Sequence, residues 1–210
     1  DVTYKDNGQI KTFKPNHKDA PRKIRKVIVN DLDKSFYPEK QLVPLIEVVH
    51  DRVTMEVFRG CIRGCRFCQA GYVYRPVRER SAENLLDKAD NLVKYSGHEE
   101  ISLTSLSTGD YRDFKKLAEG LVDKFSKENI NISLPSLRID AFSLELMKKV
   151  QEVRKSSLTF APEAGTQRLR DVINKGITEE EILNGCGLAF EGGWNRVKLY
   201  FMVGLPTETD

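Results

Sequence analysis

The sequence predicts an α/β protein in which strands and helices alternate along the chain. From residue 51 onward, apolar stretches of strand length alternate with segments whose apolar residues recur at helical spacing. Residues that start or stop helices stand between them, such as Ser81 and Gly176. This alternation indicates a parallel sheet with helical crossovers, and both an open doubly wound sheet and a barrel fit it. Residues 51–210 are too few for an eight-fold barrel of about 250 residues, so a barrel here would be partial.

Five stretches have the length and composition of strands. The first, Arg52 to Phe58, alternates loosely between apolar and polar residues, as a half-buried strand does. The last contains one of the longest apolar runs of the chain, Leu199 to Val203. The predicted strands, in chain order, are 52–58, 100–105, 130–134, 157–161 and 196–203.

Segments with helical periodicity separate these strands. Ser81 is a good N-cap for the first helix. Thr178 and Glu181, three residues apart, form the pattern of a capping box. The predicted helices begin after Ser81, at Asp110, after Ser143, at Leu169 and after Thr178.

Residues 1–48 differ from the rest of the chain. They are rich in Lys, Arg, Asp, Asn and Pro, and they include a basic run from Lys11 to Lys26. Short apolar pieces at 27–29 and 42–46 indicate some strand content. We therefore expect residues 1–48 to form an N-terminal extension or interdomain connector, and residues 49–210 to form the core. The basic run fits a solvated linker, or else a surface for RNA or a partner domain.

Composition excludes several classes of protein. Hydrophobic residues make up 40% and charged residues 31%, an ordinary globular balance. The net charge of +3 is too small to imply a nucleic-acid partner by itself. No apolar run reaches the roughly 20 residues of a membrane span, and the polar start is not a signal peptide, so we expect a cytoplasmic protein with no membrane contact. The chain starts at Asp1 without Met, which indicates a piece excised from a longer protein.

Three of the four cysteines lie within eight residues, directly after the first predicted strand. Cys61, Cys65 and Cys68 have the spacing C-x3-C-x2-C. In a parallel α/β fold this is the carboxyl end of a strand, where active sites gather. Gly60 and Gly64 allow tight turns around a ligand. Without secretory signals, such a cluster indicates a metal site instead of a disulfide framework, and thiolates favour iron–sulfur clusters, zinc or copper(I).

The number of ligands narrows these choices. A structural zinc site takes four ligands. The chain's histidines, His17, His50 and His98, do not have ligand spacing to the cysteine loop. A four-iron cluster normally takes four cysteines, so three would leave one iron open to a small molecule. A zinc knuckle or three reduced loop thiols are the simpler alternatives.

The motif closely resembles that of the radical S-adenosylmethionine superfamily, including the aromatic Phe67 before the last cysteine. The resemblance implies that Cys61, Cys65 and Cys68 are the catalytic metal ligands of a [4Fe–4S] cluster. S-adenosylmethionine would bind the fourth iron, and an external donor would supply the electron that cleaves it to a 5′-deoxyadenosyl radical. It also implies a partial (β/α)6 TIM-like barrel, here truncated after about strand five.

Segments after the later strands extend the resemblance over residues 55–208. In the family, loops at these positions contact the cofactor. The segment 160–166 looks like the family's E-S-G segment with Ala164 in place of Ser, and 200–208 resembles the G-L-P-x-E motif. The residues that the resemblance assigns to the cofactor are Phe67, Thr108, Gly109, Asp110, Ser136, Arg138, Glu163 and Gly204.

Within the family, the basic stretch before the core and the segment 69–72 resemble a branch of uncharacterised iron–sulfur oxidoreductases. Members of that branch often carry a cobalamin-binding-like domain, and methylthiotransferases are relatives. The cobalamin motif D-x-H-x-x-G is absent from this chain, so cobalamin would concern the full-length protein. The resemblance implies an oxidoreductase or transferase whose substrate is unknown, with RNA or protein as candidates.

Other interpretations remain open from sequence. The alternative function is a non-catalytic nucleic-acid-binding module stabilised by zinc or an iron–sulfur cluster. Asp110 also fits a helix cap, and Cys186 fits a small buried apolar residue. Six arginines between residues 59 and 80 fit a solvated face, a cationic environment for a cluster, or a phosphate-binding surface.

Overall fold

The computed structural model describes residues 1–135, 137–141, 143–150 and 157–209. The chain divides into two compact units, Asp1–Asn30 and Asp31–Asp210. The predicted boundary between an N-terminal extension, residues 1–48, and the core, residues 49–210, stays a prediction.

Strands and helices follow one another as the sequence predicts. In chain order, the strands are β1 (Val2–Tyr4), β2 (Ile10–Phe13), β3 (Val53–Glu56), β4 (Phe58–Arg59), β5 (Arg78–Glu79), β6 (Glu100–Thr104), β7 (Asn131–Ser133), β8 (Leu158–Glu163) and β9 (Val197–Phe201). The helices are α1 (Gln69–Val73), α2 (Ala82–Ser96), α3 (Phe114–Phe125), α4 (Leu144–Val150), α5 (Gln167–Val172) and α6 (Glu179–Glu191). Short 3-10 turns cover Thr108–Asp110, Ser126–Glu128 and Ile139–Ala141.

The first unit contains an antiparallel hairpin. β1 pairs with β2, with Val2 opposite Phe13, and Gly8 turns the chain at a φ of +80°. The predicted strand content of the extension is therefore real but lies earlier than expected. Residues 27–29 and 42–46, where strands were expected, form none.

The second unit contains two parallel sheets. β3, β6 and β7 pair in that order, with Met55 opposite Leu103 and Ile101 opposite Ile132. β8 pairs with β9 in parallel. Among the described residues, no hydrogen-bonded ladder joins β7 to β8. The fold is therefore a mixed α/β structure with parallel sheets, and the partial six-fold barrel stays a prediction.

Helices pack one apolar face each against the sheet. Leu85 and Leu92 on α2, and Leu117 and Leu121 on α3, are fully buried. Full burial of a leucine side chain contributes about 1.5–3 kcal/mol. These four positions confirm the helical periodicity on which the element prediction rests.

The predicted helix start at Asp110 is wrong. α3 begins at Phe114, and Asp110 ends a 3-10 turn before it. The carboxylate of Asp110 accepts hydrogen bonds from Arg63 and Ser107, so it is not a cap for α3. The N-cap position of α3 is instead Asp113, three residues later.

Residues 31–37, at the start of the second unit, pack against residues around β3 and β5. Leu32 is fully buried, and the buried Arg80 donates hydrogen bonds to its carbonyl oxygen and, at 3.1 Å, to Ser35 Oγ. Tyr37 donates to the carbonyl oxygen of Thr54 at 2.9 Å, and its ring lies 4.9 Å from the Arg80 guanidinium. This contact holds residues 31–37 beside β5, which leads away from the cysteine loop.

The described helices are all too short or too polar to cross a lipid bilayer.

Two glycines on α6 test the packing of this helix. A Cβ at Gly185 would lie 2.4 Å from Cγ1 of Ile139, whereas a Cβ at Gly187 would meet nothing within 4 Å. We expect Gly185→Ala to lower the free energy of unfolding by about 1–3 kcal/mol because it overpacks the contact with Ile139. Gly187→Ala should raise it by about 0.5–1 kcal/mol because alanine favours the helix. Urea unfolding of both variants measures the two free energies of unfolding. Equal changes in the two variants would contradict the close contact between Gly185 and Ile139.

Candidate functional site

The cysteine loop follows β4 and is closed by a short antiparallel pair. β4 pairs with β5, so residues 60–77 form a loop that returns to its starting strand. Gly60 opens the loop at a φ of +92°. A Cβ at this position would lie 2.8 Å from the carbonyl oxygens of both Tyr74 and Pro76, so only glycine fits.

The three cysteines are free thiols, and the sulfurs of Cys61 and Cys68 accept hydrogen bonds from backbone N–H groups. Cys61 is 9% exposed, and its sulfur accepts a hydrogen bond from the backbone N–H of Arg63 at 3.4 Å. Cys68 is the N-cap of α1, and its sulfur accepts from Gly71 N–H at 3.3 Å. Burial raises the pKa of the Cys65 thiol, Lys175 and Arg138 lower it, and Cys68 and Cys61 raise it further. The three sulfurs therefore share one electrostatic environment.

Within the described part of the chain, no three or more His, Cys, Asp or Glu side chains already meet in a geometry that would hold a metal ion. The donor set nevertheless fits a soft metal centre, because three thiols from one loop and nearby cations suit thiolate ligation. The assignment of Cys61, Cys65 and Cys68 as ligands stays a prediction.

The loop is anchored to the segment that follows α5. Arg66 N–H donates to the carbonyl oxygen of Ile173 at 2.9 Å, and the Asn174 side chain donates to the carbonyl oxygen of Gly64 at 2.8 Å. The Arg66 guanidinium donates to the carbonyl oxygen of Val172. These bonds join residues more than 100 positions apart, so they fix the loop against the β8 side of the fold.

An ion pair joins the cysteine loop to the loop after β6. Arg63 binds Asp110 through both carboxylate oxygens, at 2.8 and 2.5 Å, and Ser107 Oγ donates to the same carboxylate at 2.7 Å. Burial alone would raise the pKa of Asp110, but the hydrogen bonds from Arg63 and Ser107 outweigh it and the pKa is lowered. A further contact at 3.5 Å connects Arg63 to Asp140. Asp110 is therefore at the site, with both of its oxygens already engaged.

Arg138 continues this network after β7. It donates to both oxygens of Asp140, at 2.9 and 3.1 Å, and to the carbonyl oxygen of Lys175 at 3.3 Å. Its side chain is nearly buried. The other residue predicted after this strand, Ser136, lies outside the described residues.

Glu163 ends β8 in an unusual backbone conformation. Its φ is +69°, a region that non-glycine residues enter at a cost of about 1–3 kcal/mol. Its carbonyl oxygen accepts from Met202 N–H at 2.9 Å, which ties it to the end of β9. Its carboxylate pairs with Lys175 at 3.2 Å, and the same ammonium lies 6.0 Å from the ring centre of Phe67. Glu163 is thus held at the strand end, beside the cysteine loop.

The remaining residues predicted to contact the cofactor, Thr108, Gly109 and Gly204, lie in loops and have different hydrogen bonds. Thr108 is fully buried, and its hydroxyl donates to the carbonyl oxygen of Pro135 at 3.0 Å, so it joins two loops. Gly109 lies in the same 3-10 turn. Gly204 has a φ of +83°, and its N–H donates to Glu208 at 2.6 Å. Their predicted contacts with the cofactor stay predictions.

A cavity of about 740 Å³ opens between β7 and β8. Arg138, Glu163 and Lys175 supply charged groups to its wall, and Leu137 and Phe160 are among its apolar residues. A volume of this size accommodates a molecule as large as a nucleoside cofactor. Three of the charged groups near the cysteine loop thus also face a binding space.

Four residues of this region were not among those predicted to contact the cofactor. Arg63 belongs to the arginine run, Asp140 follows Arg138 by two positions, and Lys175 lies in the Asn-Lys-Gly segment at 174–176, so each carried a local signal. Arg170 carried one as well, in the pair Leu169-Arg170, which resembles the family. It is buried, and it donates to the carbonyl oxygens of Ala164, Gly165 and Ile177 at 2.9–3.0 Å. It thereby holds the turn that follows Glu163.

The Asp110–Arg63 pair makes a testable contribution to stability. We expect Asp110→Asn to lower the free energy of unfolding by about 1–3 kcal/mol at pH 7, because Arg63 loses its carboxylate. Because the folded pKa of Asp110 lies below its ordinary value of 3.8, this contribution is present above that value and is lost as pH falls through the folded pKa. Denaturant unfolding from pH 7 to 3 measures it. Asp123→Asn, on the exposed face of α3, is the control and should show neither effect.

Comparison with known proteins relates this site to a family. The model of the Radical SAM superfamily matches residues 55–210. An uncharacterized protein of Methanocaldococcus jannaschii is 38% identical over 194 residues, covering 88% of this chain and 42% of the relative. An uncharacterized methyltransferase of Pyrococcus horikoshii is 24% identical over 213 residues, covering 99% and 43%. A tRNA-2-methylthio-N(6)-dimethylallyladenosine synthase of Protochlamydia amoebophila is 26% identical over 167 residues, covering 74% and 36%.

The chain spans about two fifths of the length of these curated relatives. Among solved structures, the radical S-adenosylmethionine methyltransferase TsrM from Kitasatospora setae, with cobalamin and a [4Fe–4S] cluster bound, has a TM-score of 0.60. It is 16% identical, and the match covers 75% of this chain and 32% of that one. This likeness shows the fold. The family match covers about three quarters of the chain, which therefore belongs to the radical S-adenosylmethionine superfamily, whose enzymes use a [4Fe–4S] cluster and S-adenosylmethionine and need an electron donor.

Proposed function

We propose that the chain is the catalytic core of a radical S-adenosylmethionine enzyme in which Cys61, Cys65 and Cys68 hold the cluster. The observation that carries this proposal is the placement of three free thiols on one loop, anchored beside a cavity with charged walls. When bound, the cluster and S-adenosylmethionine supply the radical chemistry, a one-electron cleavage that yields a 5′-deoxyadenosyl radical. The chain's own residues bind, orient and shield these groups.

Charged side chains around the loop have separate roles in this proposal. Lys175 and Arg138 favour the thiolate form of Cys65 and would offset the negative charge of a thiolate-bound cluster. Asp140 holds Arg138 in place through two hydrogen bonds. The pair of Glu163 and Lys175 lines the cavity wall, where it can orient a charged part of the cofactor.

The other predicted cofactor residues enter the proposal according to their contacts. Phe67 is 44% exposed and can pack against a ligand. The backbone of Gly109 and Gly204 can approach a ligand closely, because neither residue carries a side chain. Asp110 can reach a cofactor amine only if it releases Arg63 or Ser107.

We propose methyl or methylthio transfer as the reaction class. The relatives from Pyrococcus horikoshii and Protochlamydia amoebophila are named for such transfers. The cobalamin in the TsrM structure supports the proposal that cobalamin takes part in the full-length protein. RNA and protein are the candidate substrates, and the Protochlamydia relative, named for a tRNA product, supports RNA.

The architecture proposed for this core is a partial (β/α)6 barrel, of which this chain contains five parallel strands. The order β3, β6, β7, β8, β9 with intervening helices supports it, as does the likeness to TsrM. We propose a reducing compartment, the cytoplasm, because thiol ligands must stay reduced. The family match weighs against the alternative of a non-catalytic nucleic-acid-binding module.

Cysteine variants test the ligand assignment. We expect Cys61→Ala, Cys65→Ala and Cys68→Ala each to lower iron content after anaerobic reconstitution by at least about tenfold. The loss of a residue that merely orients a metal ligand already costs about 10–100-fold in affinity. Cys186→Ala, on α6, is the matched control and should keep full iron content. Iron retained by all three loop variants would contradict the assignment.

Electron paramagnetic resonance tests the open iron. The reduced wild-type chain should show a [4Fe–4S] signal that changes when S-adenosylmethionine is added. A signal that does not change when S-adenosylmethionine is added would indicate an electron-transfer or structural centre. Zinc without a cluster would indicate the binding module.

A further inference from the structure

The first compact unit, Asp1–Asn30, presents basic groups beside an open apolar face of its hairpin. We propose that this unit binds single-stranded RNA, an inference that takes RNA as the substrate class from the function proposed above. The unit lies before residues 55–210, which the family model matches. The proposed surface is therefore separate from the cluster and cofactor sites of the family.

Charge separates this unit from the rest of the chain. Residues 1–30 contain eight lysines and arginines against three aspartates, a formal net charge of +5, whereas the whole chain carries +3. Residues 31–210 are therefore slightly acidic. Positive charge concentrated in one short segment fits a polyanion, because each phosphate that a cation neutralises releases bound counterions.

One face of the hairpin is apolar and open. The ladder places Val2 opposite Phe13 and, one pair further, Tyr4 opposite Ile10. Alternation along β1 puts Tyr4 on the same side as Val2, so all four side chains share this face. Tyr4, Ile10 and Phe13 are 63%, 59% and 69% exposed. No described segment of the chain covers these three side chains.

Each of the three exposed residues is followed directly in the chain by a lysine. The three pairs are Tyr4-Lys5, Ile10-Lys11 and Phe13-Lys14. None of these lysines forms an ion pair within the described residues, and the side-chain oxygen of Gln9 accepts a hydrogen bond from Lys5 at 3.4 Å. A neutral acceptor orients the ammonium group without cancelling its charge. Aromatic rings beside cations suit a single strand, whose bases stack while its phosphates seek positive charge.

Further cations extend the surface beyond the hairpin. They lie between residues 18 and 25 and are all exposed: Lys18, Arg22, Lys23 and Arg25. Contacts to phosphate position a nucleic acid without reading its sequence. A strand whose bases stack on Tyr4 and Phe13 can therefore continue along this segment whatever its sequence.

The absence of a helix favours RNA over a membrane surface. The structure describes all of residues 1–30, and none of them is helical. Proteins that lie on anionic membranes commonly use an amphipathic helix. Double-stranded RNA is a poorer fit as well, because its bases are paired and its major groove is too narrow for side chains to read. Unpaired bases are free to stack on exposed rings.

The test measures binding by the whole chain and needs no cluster. The probe is a fluorescent single-stranded oligoadenylate of about 12 nucleotides, within the site sizes of small stacking modules. Two further ligands are compared with it, the matching oligodeoxyadenylate and vesicles of phosphatidylserine and phosphatidylcholine. Fluorescence anisotropy over a range of salt concentrations gives the affinity and its salt dependence.

The variants separate stacking from apolar contact and from charge. Tyr4→Leu keeps an apolar side chain without a ring, whereas Tyr4→Phe keeps the ring. Lys14→Gln removes one positive charge. The matched controls are Tyr95→Leu and Lys127→Gln, at exposed positions of the second unit.

We expect Tyr4→Leu to weaken RNA binding about fivefold or more, because a stacked base loses its ring. Tyr4→Phe should bind RNA as the wild type does. Lys14→Gln should weaken binding and make the slope of log affinity against log salt shallower by about 0.7, the value for one lost phosphate contact of a single strand. The controls Tyr95→Leu and Lys127→Gln should match the wild type.

Four results would overturn the proposal. The first two are absence of RNA binding by the wild type and equal RNA binding by Tyr4→Leu and Tyr4→Phe. Vesicle binding without RNA binding would assign the surface to a membrane, and tighter binding of the oligodeoxyadenylate would assign it to DNA. A chain that binds RNA but assembles no cluster contradicts the proposed function alone. A chain that assembles its cluster but binds no RNA contradicts this inference alone.

Discussion

The anchoring of the cysteine loop to the end of α5 is the contact on which the candidate site depends. Hydrogen bonds within the loop, such as Cys68 N–H to the Cys65 carbonyl oxygen at 3.1 Å, shape it locally. Bonds from Arg66 to Ile173 and from Asn174 to Gly64 attach it to the segment after α5. Because these bonds reach the β8 side of the fold, they bring two parallel sheets together around the thiols.

Alternating charges extend this anchoring into a network. Asp110 holds Arg63, Asp140 contacts both Arg63 and Arg138, and Glu163 holds Lys175. The carboxylates that balance these three cations stand after β6, after β7 and at the end of β8. Paired charges tolerate the partial burial of this region, whereas isolated ones would not. The same arrangement fixes the cations where a negatively charged cluster would need them.

Local strain accompanies this arrangement. Glu163 has a positive φ. The turn that follows it is stabilised by the buried Arg170, whose guanidinium donates hydrogen bonds to carbonyl oxygens of that turn. Strained backbone of this kind persists where surrounding contacts determine the geometry, and it concentrates at functional sites. The strain therefore agrees with the position of Glu163 between the cysteine loop and the cavity. Asp110→Asn tests the ion-pair network of this site, and the cysteine variants test its thiols.

Sequence by itself determined the order of strands and helices, the cysteine motif and the family, because periodicity, capping residues and motif spacing are local properties of the chain. It placed the α3 start wrongly, since the tertiary partner of Asp110 is 47 residues away at Arg63. Only the tertiary structure decided that Asp140, Lys175 and Arg170 belong to the site and that the extension's strands lie at β1 and β2. Ion pairs and anchoring bonds between distant segments depend on how the strand ends meet, and no local pattern encodes that.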